Sequence, residues 1–543
     1  MCGVFGSVNI NQINFAENAL SSIKHRGPDH QDFIKDNNVT LGMTRLSIID
    51  LDTGNQPITN ENEDIFLVCN GEIYNYLEIR NEIKDKVNFK TNSDVECILK
   101  LYELYSFDCV KKLRGMFSFA IYDAKKSLIF IARDRFGIKP LYYYFDKNSF
   151  IFASEIKSIL EYSNLNPTIN LKKMFPHNYF WMNLETHINE IKELEPGTYG
   201  VLNTNNDLNF EVSKYWSLET NSTLTDEKEI IEKLEFFLDE SCSIHLRSDV
   251  PINMLLSGGV DSNILAYFVK KNYDKKFNSY TFGNSKKGLN EFESSNFTAN
   301  EIFKSNQNNI FLNFDRIFST FPKVMRHLEV SCAKNLESSL ASYFLMEGVK
   351  KHNKSNKVVL CGEGADELFG GYKWFFSNKS RDMLAKEYSR HHKEGLYRLQ
   401  LKRVDKMSMA HSIEARVPFL DHIFFEFASK IDVGLRSKND QIKYILRKTA
   451  EKFLPSDIAW MPKAQHTTGT GITKYISDWL GTISHKSLNN LPLKNFPKAK
   501  EKIWNQSHSD ENFEKYNAIV SNLFYFTFIK KKEINYLDDI FKF

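Results

Sequence analysis

The chain has 543 residues, of which 42% are hydrophobic and 26% are charged, and its formal net charge is +3. This length predicts at least two domains, and the small net charge gives no reason to expect a nucleic-acid partner. No apolar run approaches the roughly 18 residues that a bilayer crossing needs, and no secretory signal is recognisable, so we expect no membrane partner. Seven scattered cysteines argue against a disulfide framework or zinc site and favour a cytoplasmic location.

The chain begins Met1-Cys2-Gly3. Removal of Met1, which a small second residue permits, would expose the α-amine of Cys2. That amine has an ordinary pKa of about 8 and could accept the thiol proton. Cys2 would then be a nucleophile without a separate histidine. A cysteine at position 2 taken alone is better explained by chance.

Polar segments follow Cys2 through the first third of the chain. The stretch Arg45 to Asp50 alternates like a strand with an arginine at its head, and the buried strand 66–69 runs into Asn70-Gly71-Glu72. The other motifs of this part are residues 25–29, 91–96, 114–123 and 132–142. In this order the motifs resemble the class II glutamine amidotransferase domain. The resemblance implies an N-terminal-nucleophile hydrolase fold, an α+β sandwich with αββα layers.

The same resemblance implies roles for individual residues. Cys2 would attack the side-chain carboxamide of glutamine, and Asn70 with the N–H of Gly71 would form the oxyanion hole. A zwitterionic amino acid needs one cation and one anion at a fixed separation, here Arg45 for the α-carboxylate and Asp94 for the α-ammonium. The remaining glutamine-binding residues would be Leu46, Ser47, Ile48, Ile49 and Glu72.

The first domain is expected to span residues 2–212 and a second domain residues 213–543. Within the first, Arg133 and Asp134 are expected to form a structural ion pair. Asp226 followed by Glu229 indicates the start of a helix in the second, with an N-cap carboxylate.

A glycine-rich loop organises the second domain. The apolar run 252–256 predicts a buried strand, Ser257-Gly258-Gly259-Val260-Asp261-Ser262 follows it, and helical periodicity begins behind the loop. The glycines let the backbone approach a phosphate, and the helix start attracts negative charge. Ser257 and Ser262 can donate hydroxyls, and Asp261 can hold Mg²⁺. The loop lacks the Walker ending and resembles the pyrophosphate loop of ATP pyrophosphatases; the alternative is a turn without a ligand.

Two further predicted strands, residues 277–282 and 357–360, support an α/β doubly wound parallel sheet. Ligands of such sheets bind at the carboxyl ends of the strands. The second strand runs into Cys361-Gly362-Glu363-Gly364-Ala365-Asp366. Acidic side chains beside a phosphate loop suit a metal ion, so Asp261 and Asp366 are predicted to hold Mg²⁺ on the pyrophosphate.

More polar segments lie farther along the chain, at residues 403–411, 414–421 and 460–463, and Lys443 and Arg447 stand four apart on a predicted helix face. Together with the two glycine-rich loops they resemble the synthetase domain of glutamine-hydrolysing asparagine synthetases. The resemblance holds in order over nearly the whole chain, as far as about residue 480.

This second resemblance also implies roles. Leu255 and Phe282 would contact the adenosine, Cys361 and Gly362 would lie against the nucleotide, and Lys463 would steady the pyrophosphate. Glu363 would support the adenylated intermediate and deprotonate ammonia. The implied ATP-binding set is Leu255, Ser257, Gly258, Gly259, Asp261, Ser262, Phe282, Cys361, Gly362 and Lys463. Asp405 and Arg416 would be architectural.

The sequence thus predicts an ATP-dependent, Mg²⁺-dependent ligase that takes nitrogen from glutamine through an internal channel. Aspartate is the expected acceptor, amidated through an acyl-adenylate with release of AMP and pyrophosphate, and a homodimer is compatible with this assignment. The sequence of the segment from Leu328 to Asn335 differs from the one common in the family, and in the family this region lies close to the acceptor substrate. The acceptor could therefore be another carboxylate, such as a sugar acid or a natural-product intermediate. Two different classes of protein also compete with a ligase. A glutamine-binding storage protein would form no pyrophosphate, and a lone cysteine hydrolase would leave Asp261, Glu363 and Asp366 without a task.

Overall fold

The computed structural model describes residues 2–170, 186–205, 208–219, 223–284, 289–372, 383, 386, 395–439, 441–461, 470–484, 487–488, 490–493 and 510–542. Lys463 lies outside these residues. Within the described ranges, no helix combines the length and the apolar character that crossing a membrane requires.

Two six-stranded antiparallel sheets form the first domain, with strand orders β10-β8-β9-β1-β3-β2 and β12-β11-β7-β6-β5-β4. Their strands are β1 (Cys2–Val8), β2 (His30–Asp36), β3 (Val39–Arg45), β4 (Ile58–Thr59), β5 (Ile65–Ile73), β6 (Gly115–Asp123), β7 (Leu128–Arg133), β8 (Tyr142–Phe145), β9 (Phe150–Ala153), β10 (Ile191–Glu193), β11 (Thr198–Asn203) and β12 (Asn209–Lys214).

The layers of this domain follow from side-chain alternation along the strands. In β6, Phe117, Phe119 and Ile121 pack under the helices of the second sheet, whereas Ala120 and Tyr122 join the core between the sheets. The helices outside the two sheets are α1 (Phe15–Ser22), α2 (Tyr76–Ile83), α3 (Glu96–Tyr105), α4 (Cys109–Lys112) and α5 (Ile156–Ile159). The αββα sandwich predicted from the sequence is therefore confirmed.

Two local predictions in this domain are wrong. The stretch from Arg45 to Asp50 is not a strand, because β3 ends at Arg45 and the chain then folds back until Asp50, at φ 55°, lies under the Arg45 guanidinium. Arg133 does not pair with Asp134 but with Glu193, at 3.0 Å. Asp134 instead accepts backbone N–H bonds from four residues, including Phe136 and Ile138, so both side chains are structural.

The second domain is built on five parallel strands in the order β15-β14-β13-β16-β17. They are β13 (Ile252–Leu255), β14 (Asn278–Gly283), β15 (Asn306–Phe311), β16 (Val358–Leu360) and β17 (Glu414–Arg416), and β18 (Ser437–Lys438) with β19 (Gln441–Ile442) forms a separate hairpin. The order reverses between β13 and β16, so the predicted doubly wound α/β sheet is confirmed. Ligands of such sheets bind at this reversal.

The described α-helices of the second domain pack around that sheet. They are α6 (Glu227–His245), α7 (Val260–Asn272), α8 (Leu289–Phe297), α9 (Ile317–Leu328), α10 (Ala333–His352), α11 (Ala365–Phe369), α12 (Lys402–Met409), α13 (His422–Ser429), α14 (Val433–Arg436), α15 (Tyr444–Ala450), α16 (Ser456–Ala459), α17 (Ile472–Thr482) and α18 (Asp510–Phe524). The predicted N-cap of α6 is confirmed, because the Asp226 carboxylate accepts the Glu229 N–H at 2.9 Å.

Candidate active sites

The first candidate site lies between the two antiparallel sheets, where β1 begins. Alternation turns Cys2 and Val4 of β1, and Val68 of β5, toward the inter-sheet core. Asn70 follows Val68 on the same face, and its Oδ1 accepts the Cys2 N–H at 3.1 Å. Cys2 is only 5% exposed. Burial raises the pKa of its thiol, and the nearby amino terminus and Arg45 act in the opposite direction.

Arg45 provides a fixed cation beside Cys2, since the two residues are paired partners in the β1–β3 ladder. Its Nη1 donates to Asn55 Oδ1 at 2.9 Å, and its Nη2 donates to the carbonyls of Ile49 and Asp50 at 3.1 and 2.5 Å. The guanidinium is buried, yet within the described part of the chain no carboxylate forms an ion pair with it. A buried cation without a counter-ion is costly, so this position favours an anionic ligand.

Two buried carboxylates face the same region. Asp94 Oδ2 accepts the Ile73 N–H at 2.7 Å, and burial raises the pKa of Asp94 to about 6. Burial also raises the pKa of Glu72, and the neighbouring Glu414 adds to this effect. Glu72 Oε2 is buried and, among the described residues, accepts no hydrogen bond, but it forms an ion pair with Arg416 Nη2 at 3.4 Å. The site therefore holds acceptor oxygens that a ligand ammonium or amide could use.

Gly71 is required by the close packing of β5 against β6. A Cβ at this position would lie 2.1 Å from the Met116 carbonyl oxygen and 2.6 Å from Phe117 Cα. Both are backbone atoms of the neighbouring strand, so they cannot move aside as a flexible side chain could. The absence of a side chain therefore lets β5 keep this close approach to β6 at Gly71.

The second candidate site lies at the carboxyl ends of β13 and β16, on either side of the strand reversal. Gly258 has φ +81°, and a Cβ there would meet Ser294 at 2.7 Å, whereas at Gly259 the nearest atom to a Cβ is the Ser257 hydroxyl at 3.6 Å. Ser257 is exposed, and its Oγ lies 3.1 Å from Ser262 Oγ. The loop thus leaves an open cradle lined by hydroxyls at the start of α7, which suits a phosphate.

The two predicted metal ligands converge in the structure, and Lys443 lies between them. Its Nζ pairs with Asp366 Oδ1 at 2.5 Å and also contacts Asp261 Oδ2. Burial opposes the charge of Lys443, but the two carboxylates together raise its pKa. Asp261 Oδ1 is buried, and in the described part of the chain it has no hydrogen-bond partner. An orphaned carboxylate oxygen beside a second carboxylate fits Mg²⁺, which prefers oxygen ligands.

The loop after β16 completes this edge. A Cβ at Gly362 would lie 3.1 Å from Asp261 Cβ, so the two glycine-rich loops touch. Glu363 pairs with Arg403, and Cys361 is buried with its thiol pKa raised to about 12 by desolvation. Leu255 is half-buried at the end of β13, and Phe282 is buried near the end of β14. The predicted role of Lys463 concerns a residue outside the described chain.

Sequence reasoning did not assign Lys443 to the site. It was placed on a helix face with Arg447, but the structure puts it before α15 with φ 58°, and only Arg447 lies in the helix. Arg447 donates to the carbonyls of Ile442, Ala459 and Met461, away from Lys443's partners. The sequence does show a lysine in a polar segment directly before a helix. It does not show that this lysine pairs with Asp261, because Asp261 lies 182 residues away along the chain.

The segment that departs from the family spelling joins α9 to α10. Glu329, at φ 58°, turns inward, and its carboxylate accepts the N–H groups of Ile156 and Lys157 at 2.9 and 2.8 Å. It also pairs with Lys406. Part of this segment therefore anchors the second domain to the first. Helix α10, which starts at Ala333, leads into β16 and so begins near the carboxyl edge of the sheet.

Comparison with known proteins agrees with both halves of this description. Residues 1–216 match the family described as glutamine amidotransferase domain, and residues 233–400 and 386–527 match the family described as asparagine synthase. The chain is therefore a glutamine amidotransferase domain joined to a synthase domain. It belongs to the asparagine synthase family.

Curated relatives match along most of their length. The glutamine-hydrolyzing asparagine synthetase 1 of Bacillus subtilis (strain 168) is 30% identical, over 84% of this chain and 85% of the relative. The glutamine-hydrolyzing asparagine synthetase B of Escherichia coli (strain K12) is 30% identical, over 89% of this chain and 84% of the relative. A probable glutamine-hydrolyzing asparagine synthetase of Schizosaccharomyces pombe is 31% identical, over 87% of this chain and 85% of the relative.

Proposed function

We propose that the protein is a carbon–nitrogen ligase that converts L-aspartate to L-asparagine with glutamine as nitrogen donor and ATP as energy source. The observation that carries the proposal is the presence, in one chain, of a buried Cys2 site with a lone cation and two carboxylates, and a phosphate cradle at the reversal of a parallel sheet. Membership of the asparagine synthase family supports it.

In the first site, Cys2 Sγ attacks the carboxamide carbon of glutamine after loss of Met1. The oxyanion is stabilised by Asn70 and the Gly71 N–H, ammonia leaves, and water hydrolyses the glutamyl thioester to glutamate. Arg45 binds the α-carboxylate and Asp94 the α-ammonium. The side chain of Glu72 and the backbone of residues 46–49 line the rest of the pocket.

In the second site, a carboxylate oxygen of aspartate attacks the α-phosphorus of ATP, and pyrophosphate leaves. A free carboxylate is a poor electrophile, so adenylation is what lets ammonia attack the carbonyl carbon and displace AMP. The cradle formed by Ser257, Gly258, Gly259 and Ser262 holds the phosphates. Lys443 stabilises their charge, together with Lys463, and Glu363 accepts a proton from ammonia. Leu255, Phe282, Cys361 and Gly362 surround the adenosine.

Magnesium belongs to this proposal as well. Asp261 and Asp366 would hold the ion, a fit supported by the orphaned Asp261 Oδ1 and by the convergence of the two carboxylates. Bound there, Mg²⁺ would neutralise part of the negative charge of the pyrophosphate. We also propose a domain boundary near residue 212, supported by the family match to residues 1–216 and by the end of β12 at Lys214. A cytoplasmic location is supported by the seven free thiols.

The test is to incubate the purified protein with glutamine, MgATP and L-aspartate and to measure glutamate, AMP, pyrophosphate and asparagine. We expect all four products, with AMP, pyrophosphate and asparagine in equal amounts. A panel of other carboxylates, including sugar acids, is assayed for AMP release in parallel. Formation of ADP and phosphate, faster turnover of another acid, or an active protein that retains Met1 by mass spectrometry would contradict the proposal.

A further inference from the structure

The backbone of Cys2 is held at both of its polar atoms. Its N–H donates to Asn70 Oδ1 at 3.1 Å, and its carbonyl oxygen accepts Arg26 Nε at 3.1 Å. These two contacts hold the Cys2 nitrogen, which becomes the α-amine after loss of Met1, and the peptide unit between Cys2 and Gly3. They therefore fix the direction of the Cα–Cβ bond that carries the thiol.

Arg26 is itself held by two carboxylates from different parts of the chain. It is fully buried, its Nη1 donates to Glu155 Oε1 at 2.8 Å, and its Nη2 donates to Asp405 Oδ2 at 2.8 Å. Glu155 belongs to the first domain, but Asp405 lies on α12 of the second, 379 residues away. With every guanidinium nitrogen bonded, the fork can hold one orientation only.

Helix α12 also reaches the second site. Arg403 pairs with Glu363 of the loop after β16, whereas Asp405 pairs with Arg26 and, at 3.4 Å, with Lys139 of the first domain. Residues two apart on an α-helix project about 200° apart, so these side chains leave opposite sides of α12. Helix α12 therefore contacts both sites: one of its side chains pairs with the loop of the second site, and another pairs with Arg26, which bonds to Cys2.

We propose that Asp405 is a positioning residue for glutamine hydrolysis, contributed by the synthase domain and acting on Cys2 through Arg26. Neutralising Asp405 removes one of the two anions that orient the guanidinium. The Arg26–Cys2 contact then loosens, and the thiol leaves its attack geometry. Because Asp405 does not touch the proposed glutamine-binding residues, the loss falls on kcat rather than on KM. This inference rests on the proposed function.

The experiment compares Asp405→Asn with Lys402→Gln. Lys402 lies on the same helix and forms another buried ion pair across the domains, with Glu193 at 2.8 Å, but neither residue bonds to Cys2 or Arg26. Glutamate release without ATP gives kcat and KM for glutamine, ammonia-dependent AMP release reports the second site, and thermal unfolding reports stability. Asp405→Glu, which keeps the charge, is the second variant.

For Asp405→Asn we expect kcat for hydrolysis to fall about tenfold or more, since small displacements of reacting groups have effects of this size. KM for glutamine and ammonia-dependent AMP release should stay within about twofold. Lys402→Gln should keep its hydrolytic kcat even if it unfolds at a lower temperature, and Asp405→Glu should recover part of the loss. Wild-type kcat in Asp405→Asn, or equal losses in Asp405→Asn and Lys402→Gln, would overturn the inference. A wild-type protein that hydrolyses no glutamine would instead contradict the proposed function.

Discussion

The two candidate sites use charge in different ways. In the first site, Arg45 donates to three neutral acceptors and, within the described chain, has no carboxylate in an ion pair with it. In the second, the cation of Lys443 is already shared between Asp261 and Asp366. The first site is therefore prepared for a small zwitterion of fixed shape, whereas the second must exchange internal ion pairs for contacts to phosphates and metal.

The charged side chains of the first site are also more deeply buried than those of the second. Arg45 and Asp94 are each 3% exposed, while the side chains of Asp261 and Asp366 are 23% and 24% exposed. Arg45 ends strand β3 and Asp94 lies in the bend before α3, whereas loops after parallel strands carry the second set to the edge of one sheet. Rigid strand ends suit a single small substrate, and loops suit a site that admits several reactants and releases AMP and pyrophosphate.

The largest expected effect separates the two sites completely. Replacing Cys2 by alanine should abolish glutamine-dependent asparagine formation, because the neighbouring thiol of Cys69 lies on the opposite face of β5, in the core under the helices. Ammonia-dependent asparagine formation should stay within about twofold of wild type, since Cys2 and the phosphate cradle lie on different sheets. The measurement is asparagine release with glutamine or with ammonium chloride as nitrogen source. Loss of both activities in a folded variant would contradict a division into two sites.

The next effect falls on the second site alone. Lys443→Met should lower AMP formation about 10²- to 10³-fold with either nitrogen source, because a charge that stabilises the leaving pyrophosphate is lost. Glutamate release without ATP should be unchanged. Lys448→Met is the matched control, since Lys448 lies on α15, pairs with Glu451 just after the helix at 2.8 Å, and has no contact with Asp261 or Asp366. AMP formation at the wild-type rate in Lys443→Met would remove this lysine from the site.

Titration of Asp94 should make the activity of the first site depend on pH. Its pKa is raised to about 6, so above pH 6 it is ionised and can accept the α-ammonium, and below pH 6 it is neutral. Between pH 7 and pH 5 its ionised fraction falls about tenfold, and kcat/KM for glutamine should fall by the same factor. The rate constant is measured as glutamate release across this range.

The control for the pH experiment is Asp94→Asn. This variant should have a lower kcat/KM at pH 7 and should lose the inflection near pH 6, because the Asp94 carboxylate that titrates there is gone. An inflection of the same size in Asp94→Asn would assign the pH dependence to another group, such as the amino terminus of Cys2.

The fold and much of the first site could be predicted from the sequence because their signals are local. Glycine-rich loops directly after apolar runs indicate parallel strands with ligands at their carboxyl ends, and the structure has that order. The placement of Cys2 beside Asn70 follows from strand alternation once β1 and β5 face each other. Such patterns can be recognised from residues that are close together in the sequence.

The contacts that join distant parts of the chain could not be predicted in this way. Arg26 and Asp405 are 379 residues apart, and Lys443 and Asp261 are 182 apart. No periodicity relates such pairs, because tertiary packing alone brings them together. The fold-back after Arg45 was missed for a related reason. Its alternating side chains fit a strand, but bonds from Arg45 to the carbonyls of Ile49 and Asp50 stabilise a loop.

The smallest expected effect lies outside both sites, at the start of α6. Asp226→Ala removes the acceptor of the Glu229 N–H and should cost about 1 kcal/mol of unfolding free energy. For a domain of this size that corresponds to a fall of about 2–4 °C in the unfolding midpoint. Asp226→Asn retains an acceptor oxygen and should unfold near the wild-type temperature, and both variants should keep both activities. If Asp226→Ala lowered either activity without lowering the unfolding midpoint, the cap would have a functional role, since a purely local helix cap can act on the distant sites only through stability.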